Sequence, residues 1–124
     1  MASRPRQSIQ ERTFAFAVRV IKLVRELPRD TAGYVVGRQV ARSGTSVGAN
    51  CEEARAAHSR ADFAHAMNIA RKEACETQYW LRLIAATDLI KERRFGQLLQ
   101  EADEIVRILT STVKRSRVIA TNAS

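Results

Sequence analysis

The sequence predicts an all-α fold, an up-down-up-down antiparallel four-helix bundle, on three observations. Apolar residues recur at spacings of three and four through four long segments. The links between these segments are short, which makes successive helices antiparallel neighbours. Five Gly and two Pro in 124 residues, with no Asn-Gly or Asp-Gly turn between alternating runs, argue against an all-β fold. A chain of this length holds one domain with a sizeable core, and 45% hydrophobic residues suit a globular protein rather than a disordered one.

The first helix is expected over residues 9–27, with Phe14, Ala17, Ile21 and Val24 as its apolar row, widened by Val20 and Leu27. Pro28 stops it. Asp30 or Thr31 caps the second helix, which reads through Ala56 with Val36, Val40, Ser43, Val47, Cys51 and Ala54 inward. Gly44 and Gly48 would each cost roughly 1 kcal/mol in an exposed helix interior. A break at residues 43–45 is therefore an alternative. The apolar period continues in phase across both glycines, which favours one helix that lets a neighbouring backbone approach closely.

Ser59-Arg60-Ala61-Asp62 has the spacing of a capping box and opens the third helix. Its core row is Phe63, Met67, Ala70, Ala74, Thr77, Leu81 and Ile84, and the pattern fades near residues 88–90. The fourth helix, from Lys91 or Arg93 to Val113, carries Phe95, Leu98, Leu99, Ala102, Val106, Leu109 and Val113. Residues 1–8 and 114–124 read as flexible basic ends around a bundle spanning 9–113.

Residues 39–83 carry more than core rows. Gln39, Arg42, Ser46, Asn50 and Glu53 share one face of the second helix, and Ile69, Glu73, Glu76, Trp80 and Leu83 share one face of the third. A plain bundle needs only one buried face per helix, so these rows are read as fixing helix or subunit register. Exposed Trp near Arg is enriched at interface hot spots, which favours Trp80 as an interface residue over a core one.

The net charge of +8 favours polyanionic partners. Arg12, Arg19, Lys22, Arg25 and Arg29 gather opposite the apolar row of the first helix and are the expected phosphate contacts. No aromatic residues interleave them, so binding is expected to follow the RNA or DNA backbone with little sequence preference.

Catalytic patterns are weak. His58, Asp62 and His65 would share a continuous helix face, but Asp62 is explained by capping and no second Asp/Glu-x-x-His answers it, so no metal is expected. Cys51 and Cys75 fall on or near apolar rows and read as inert reduced thiols. There is no P-loop. The expectation is a non-enzymatic protein without cofactor. The first twelve residues are polar and basic, and no apolar run is long enough for a membrane span, so a cytoplasmic location is expected.

With these rows laid out, the chain resembles a known family. Gln39-Val40-Ala41-Arg42, Ser46, Asn50 and Glu53 are similar to the second-helix signature of the four-helix-bundle proteins also called 23S ribosomal RNA intervening-sequence proteins. Ser59, Asp62-Phe63 and Ala70 match the next block, and Lys72-Glu73-Ala74, Glu76 and Trp80-Leu81 the one after. Ala54 stands where that family usually has Gly. The resemblance implies a small up-and-down bundle that assembles with itself as a pentameric ring, without enzymatic activity. For one branch it also implies a basic pentamer that engages a reverse transcriptase and nucleic acid. A protein-interaction module accessory to such an enzyme, without direct nucleic-acid binding, is the alternative.

Overall fold

The computed structural model describes residues 7–123. Among them the chain forms four long helices: α1 (Ile9–Val24), α2 (Thr31–Arg55), α3 (Arg60–Ala86) and α4 (Gly96–Ala123), with a one-turn 3₁₀ helix at Glu92–Arg94. Each of the first three starts where the sequence supplies a cap. Ser8 Oγ accepts from the Glu11 amide at 3.0 Å, Asp30 Oδ1 from Gly33 at 2.8 Å, and Ser59 Oγ from Asp62 at 3.0 Å. Ser8, expected in a flexible end, is thus the α1 cap; residues 1–6 lie outside the described residues.

The helix ends follow the same local logic. α1 stops at Val24, short of the expected Leu27, because Pro28 disfavours helical backbone in the residue before it. The chain closes with tighter bonds from Glu26 N to Leu23 O and Leu27 N to Val24 O. α3 ends in a Schellman arrangement: Leu89 N bonds Ile84 O, Asp88 N bonds Ala85 O, and Asp88 takes φ 56°. α4 runs to Ala123, well past the expected Val113, because residues 114–117 contain no Gly or Pro to break it.

The four helices pack in ring order. α2 lies between α1 and α3, α4 packs on α3, and α1 touches α4 far less than it touches α2. Neighbours are antiparallel: a Cβ placed on Gly48, Gly44 or Gly37 of α2 would meet Thr13, Val20 or Val24 of α1 in turn. α2 is one continuous helix, and the glycines are what bring α1 against it. A Cβ on Gly44 would lie 2.7 Å from Val20 Cγ1, and one on Gly33 would lie 1.8 Å from the Pro28 carbonyl oxygen.

The core follows the expected rows on α2 and, apart from the partly buried Phe63, Leu99 and Val106, on α3 and α4; Ala64, Ala66 and Ile105 join them buried. The exception is α1. Its buried face is Thr13, Phe16, Val20, Leu23 and Leu27, whereas Phe14 (71%) and Ile21 (40%) of the expected row are exposed. α1 has apolar residues on two faces, and the buried one contains a Thr. The Thr13 hydroxyl is accommodated because it donates to the Ile9 carbonyl at 2.7 Å, so the polar residue carries no orphaned group into the core. No helix among the described residues is long and apolar enough to cross a membrane.

Candidate functional site

The two polar rows meet across the α2–α3 seam. Arg42 of α2 binds Glu73 of α3 at 3.1 Å and also Glu76, whose carboxylate accepts from Trp80 Nε1 at 3.0 Å. Gln39 Oε1 accepts from Arg42 at 3.4 Å. Trp80 is half-buried against the core, with Tyr79 edge-on at a ring-centroid distance of 5.0 Å. Gln39, Arg42, Glu73, Glu76 and Trp80 therefore set the register of two helices within one chain. The far half of the α2 row acts locally: Asn50 donates to the Ser46 carbonyl at 2.8 Å, and Glu53 is exposed.

Beneath this network lies a buried polar pair. Thr77 Oγ1 is 2.8 Å from both Ser43 Oγ and the Glu73 carbonyl. Thr77 has one hydroxyl proton; donating it to the carbonyl, it accepts from Ser43. Both residues stand on the expected core rows, so the signal was present as a hydroxyl on each of two apolar rows. Buried polar groups are almost always satisfied, and two on facing helices satisfy each other.

The basic stripe of α1 does not survive as one surface. Arg12 is half-buried and bridges to α4, binding Glu101 at 2.7 Å and also Glu104. Its hydrogen bond to Glu101 raises the guanidinium pKa, with burial opposing, and the same bond holds the Glu101 carboxyl below the usual glutamate range. Arg12 is thereby neutralised within the chain and is not a free phosphate contact. Arg19 and Lys22 flank a groove between α1 and α4 that also includes Glu26, Arg94 and Phe95. Arg25 and Arg29 turn instead into a cleft at the α1–α2 connection, together with Tyr34 and Arg38.

The acidic side chains are largely engaged. Glu26, Glu52, Glu73, Glu76, Asp88, Glu101, Asp103 and Glu104 each lie beside a Lys or Arg. Among the described residues, Arg19, Lys22, Arg25, Arg29 and Arg38 on α1, α2 and their connection make no ion pair, and neither do Arg60, Arg71, Lys72, Arg82, Arg93, Lys114, Arg115 and Arg117 elsewhere.

The remaining candidates separate. His58, Asp62 and His65 are all exposed near the start of α3, and the Asp62 amide is held by the Ser59 cap. Cys51 is buried, and burial pushes its thiol up to about 11 despite a hydrogen bond with Thr13, so it stays a neutral thiol. Cys75, expected near an apolar row, is exposed: it lies one position past the buried Ala74, on the outer side of α3.

The pattern that describes the 23S rRNA-intervening sequence protein matches residues 6–111. The chain belongs to this family. Its fold is also that of a solved member of the S23 ribosomal protein family from Bacteroides thetaiotaomicron, a protein with unknown function. The two share 40% identity with a TM-score of 0.80, over 86% of this chain and 99% of that one. No curated protein matches. In this chain the motif residues Gln39, Arg42, Glu73, Glu76 and Trp80 form the network of the α2–α3 seam.

Proposed function

We propose that this family member is a non-enzymatic, self-assembling helical scaffold of the cytoplasm that holds RNA or DNA phosphates with low sequence specificity. The observation that carries this reading is the imbalance of charge on the surface. Most acids are engaged by intramolecular partners, while Arg19, Lys22, Arg25 and Arg29 on and just beyond α1 have no ion pair among the described residues. Cations without partners are what neutralises phosphates and releases counterions.

A titration of RNA and duplex DNA at several salt concentrations tests it. Replacing Arg19, Lys22, Arg25 and Arg29 by Gln should flatten the duplex salt slope by up to about 0.9 for each phosphate that is no longer neutralised. Affinity absent at physiological salt would overturn the reading.

Self-association is supported by the second apolar face of α1, where Phe14 (71%), Val18 (39%) and Ile21 (40%) stand exposed at helical spacing. Such a stripe on a 13.9 kDa chain suits burial against another copy, in the pentamer that the family resemblance implies. Light scattering on Ile21→Asp should show a smaller particle than wild type. The same exposed face favours the alternative, a protein-interaction module serving a nucleic-acid enzyme. That reading predicts a wild-type protein, of whatever assembly, that binds no nucleic acid at physiological salt.

A further inference from the structure

The cleft at the α1–α2 connection has a chemistry that the α1 stripe lacks. Its floor is closed by the tight packing of Gly33 and Gly37 of α2 against Pro28, Leu27 and Val24, and its lining is mixed polar and apolar. Tyr34 stands on its wall, 61% exposed, and Arg38 follows one helical turn later on the same face. Arg25 and Arg29 enter from the α1 side. The one carboxylate beside it, Asp30, is engaged at the α2 N-cap, 2.8 Å from the Gly33 amide nitrogen. The volume of about 290 Å³ is at the bottom of the range for small-molecule pockets.

Three arginines around a small cleft with an exposed phenol ring match one nucleotide with its phosphate. Arginine recognises phosphate through its planar fork of donors, and an aromatic ring supplies a platform for a base of any identity. A duplex keeps its bases stacked on one another and offers Tyr34 none. We infer that this cleft binds one nucleotide of a single-stranded nucleic acid, its phosphate on Arg25, Arg29 and Arg38 and its base stacked on Tyr34. The inference rests on the phosphate-binding reading above and adds a base contact to it.

The test compares an oligouridylate of about ten nucleotides, within the span of common single-strand sites, with an abasic strand of the same length and charge. Wild type should bind the base-bearing strand more tightly than the abasic one. Tyr34→Ala should lose about tenfold in affinity for the base-bearing strand and nothing for the abasic strand, while Tyr34→Phe keeps both. Arg25→Gln, Arg29→Gln and Arg38→Gln combined should weaken both strands and reduce the salt slope by about 0.7 for each phosphate that is no longer neutralised. Tyr34 is largely exposed, so an unchanged thermal melt serves as the folding control. If Tyr34→Ala binds both strands as wild type does, the cleft assignment is overturned while general phosphate binding stands. If wild type binds neither strand at physiological salt, the broader reading fails and the cleft fails with it.

Discussion

The α2–α3 and α1–α4 seams lie on opposite sides of the bundle and are held by different physics. At α2–α3 the helices are in broad contact, with the buried Ser43–Thr77 hydroxyl pair inside and the Arg42–Glu73–Glu76–Trp80 network along the edge. At α1–α4 contact is slight, and the ties are Arg12 to Glu101 and Glu104 and, just beyond the two helices, Arg94 of the 3₁₀ turn to Glu26 at 2.8 Å. The first seam is a close-packed interior that tolerates little change in volume. The second is an electrostatic clasp over grooves, sensitive to salt and pH. A helix held mainly on one side is also the helix with a second apolar face exposed.

The largest effect is expected where the tight seam is overfilled. Ser43→Leu forces a larger side chain into a fully buried position and should destabilise by about 3 kcal/mol in denaturant melts. A neutral result would show that α2 and α3 can separate as readily as α1 and α4.

Thr77→Val comes next, because it removes the acceptor for Ser43 and should cost about 2 kcal/mol. The double variant Ser43→Ala/Thr77→Val should recover part of that loss, since no lone hydroxyl remains; strictly additive losses would show that the pair is uncoupled.

At the clasp, Arg12→Ala should cost about 1.5 kcal/mol at low salt and less in concentrated salt, whereas the Thr77→Val loss should not respond to salt. The pH dependence has a definite sign. The Glu101 carboxyl pKa is lowered in the folded chain, chiefly by the Arg12 hydrogen bond, so the unfolded state binds more protons in acid. Its contribution is complete above the ordinary glutamate value of about 4.3 and is lost as pH falls through the folded value. Glu101→Gln should flatten the acid limb of the stability profile, and an unchanged limb would remove this pair from the clasp.

The smallest effect belongs to the turn that joins α3 to α4. Asp88 sits at φ 56° with Lys91 at 3.5 Å, and Asp88→Gly should stabilise by about 0.5 kcal/mol by relieving the left-handed backbone. A loss instead would mean that the exposed ion pair outweighs the backbone relief.

Much of this was legible along the chain. Ser59 and Asp30 announce their helices because capping is a local competition for free amides. The core rows of α2 and α3 could be read directly because each has a single apolar face. α1 misled because Phe14, Val18 and Ile21 compete with Phe16, Val20 and Leu23, and Thr13 on the buried side reads as polar. The charge of the α1 stripe was visible in the sequence, but Glu101, which neutralises Arg12, is 89 residues away. The Arg25, Arg29, Tyr34 and Arg38 grouping needed the turn at Pro28 to fold them around one cleft.

By itself, then, the sequence determined the four helices, the caps of α2 and α3, the rows that meet at α2–α3, and the excess positive charge. These depend on spacing, propensity and composition, which act over a few residues. Only the tertiary structure decided which face of α1 is buried, which arginines are neutralised, and which of them line a cleft. Those outcomes depend on distances between residues far apart in the chain, which are fixed only when the helices pack.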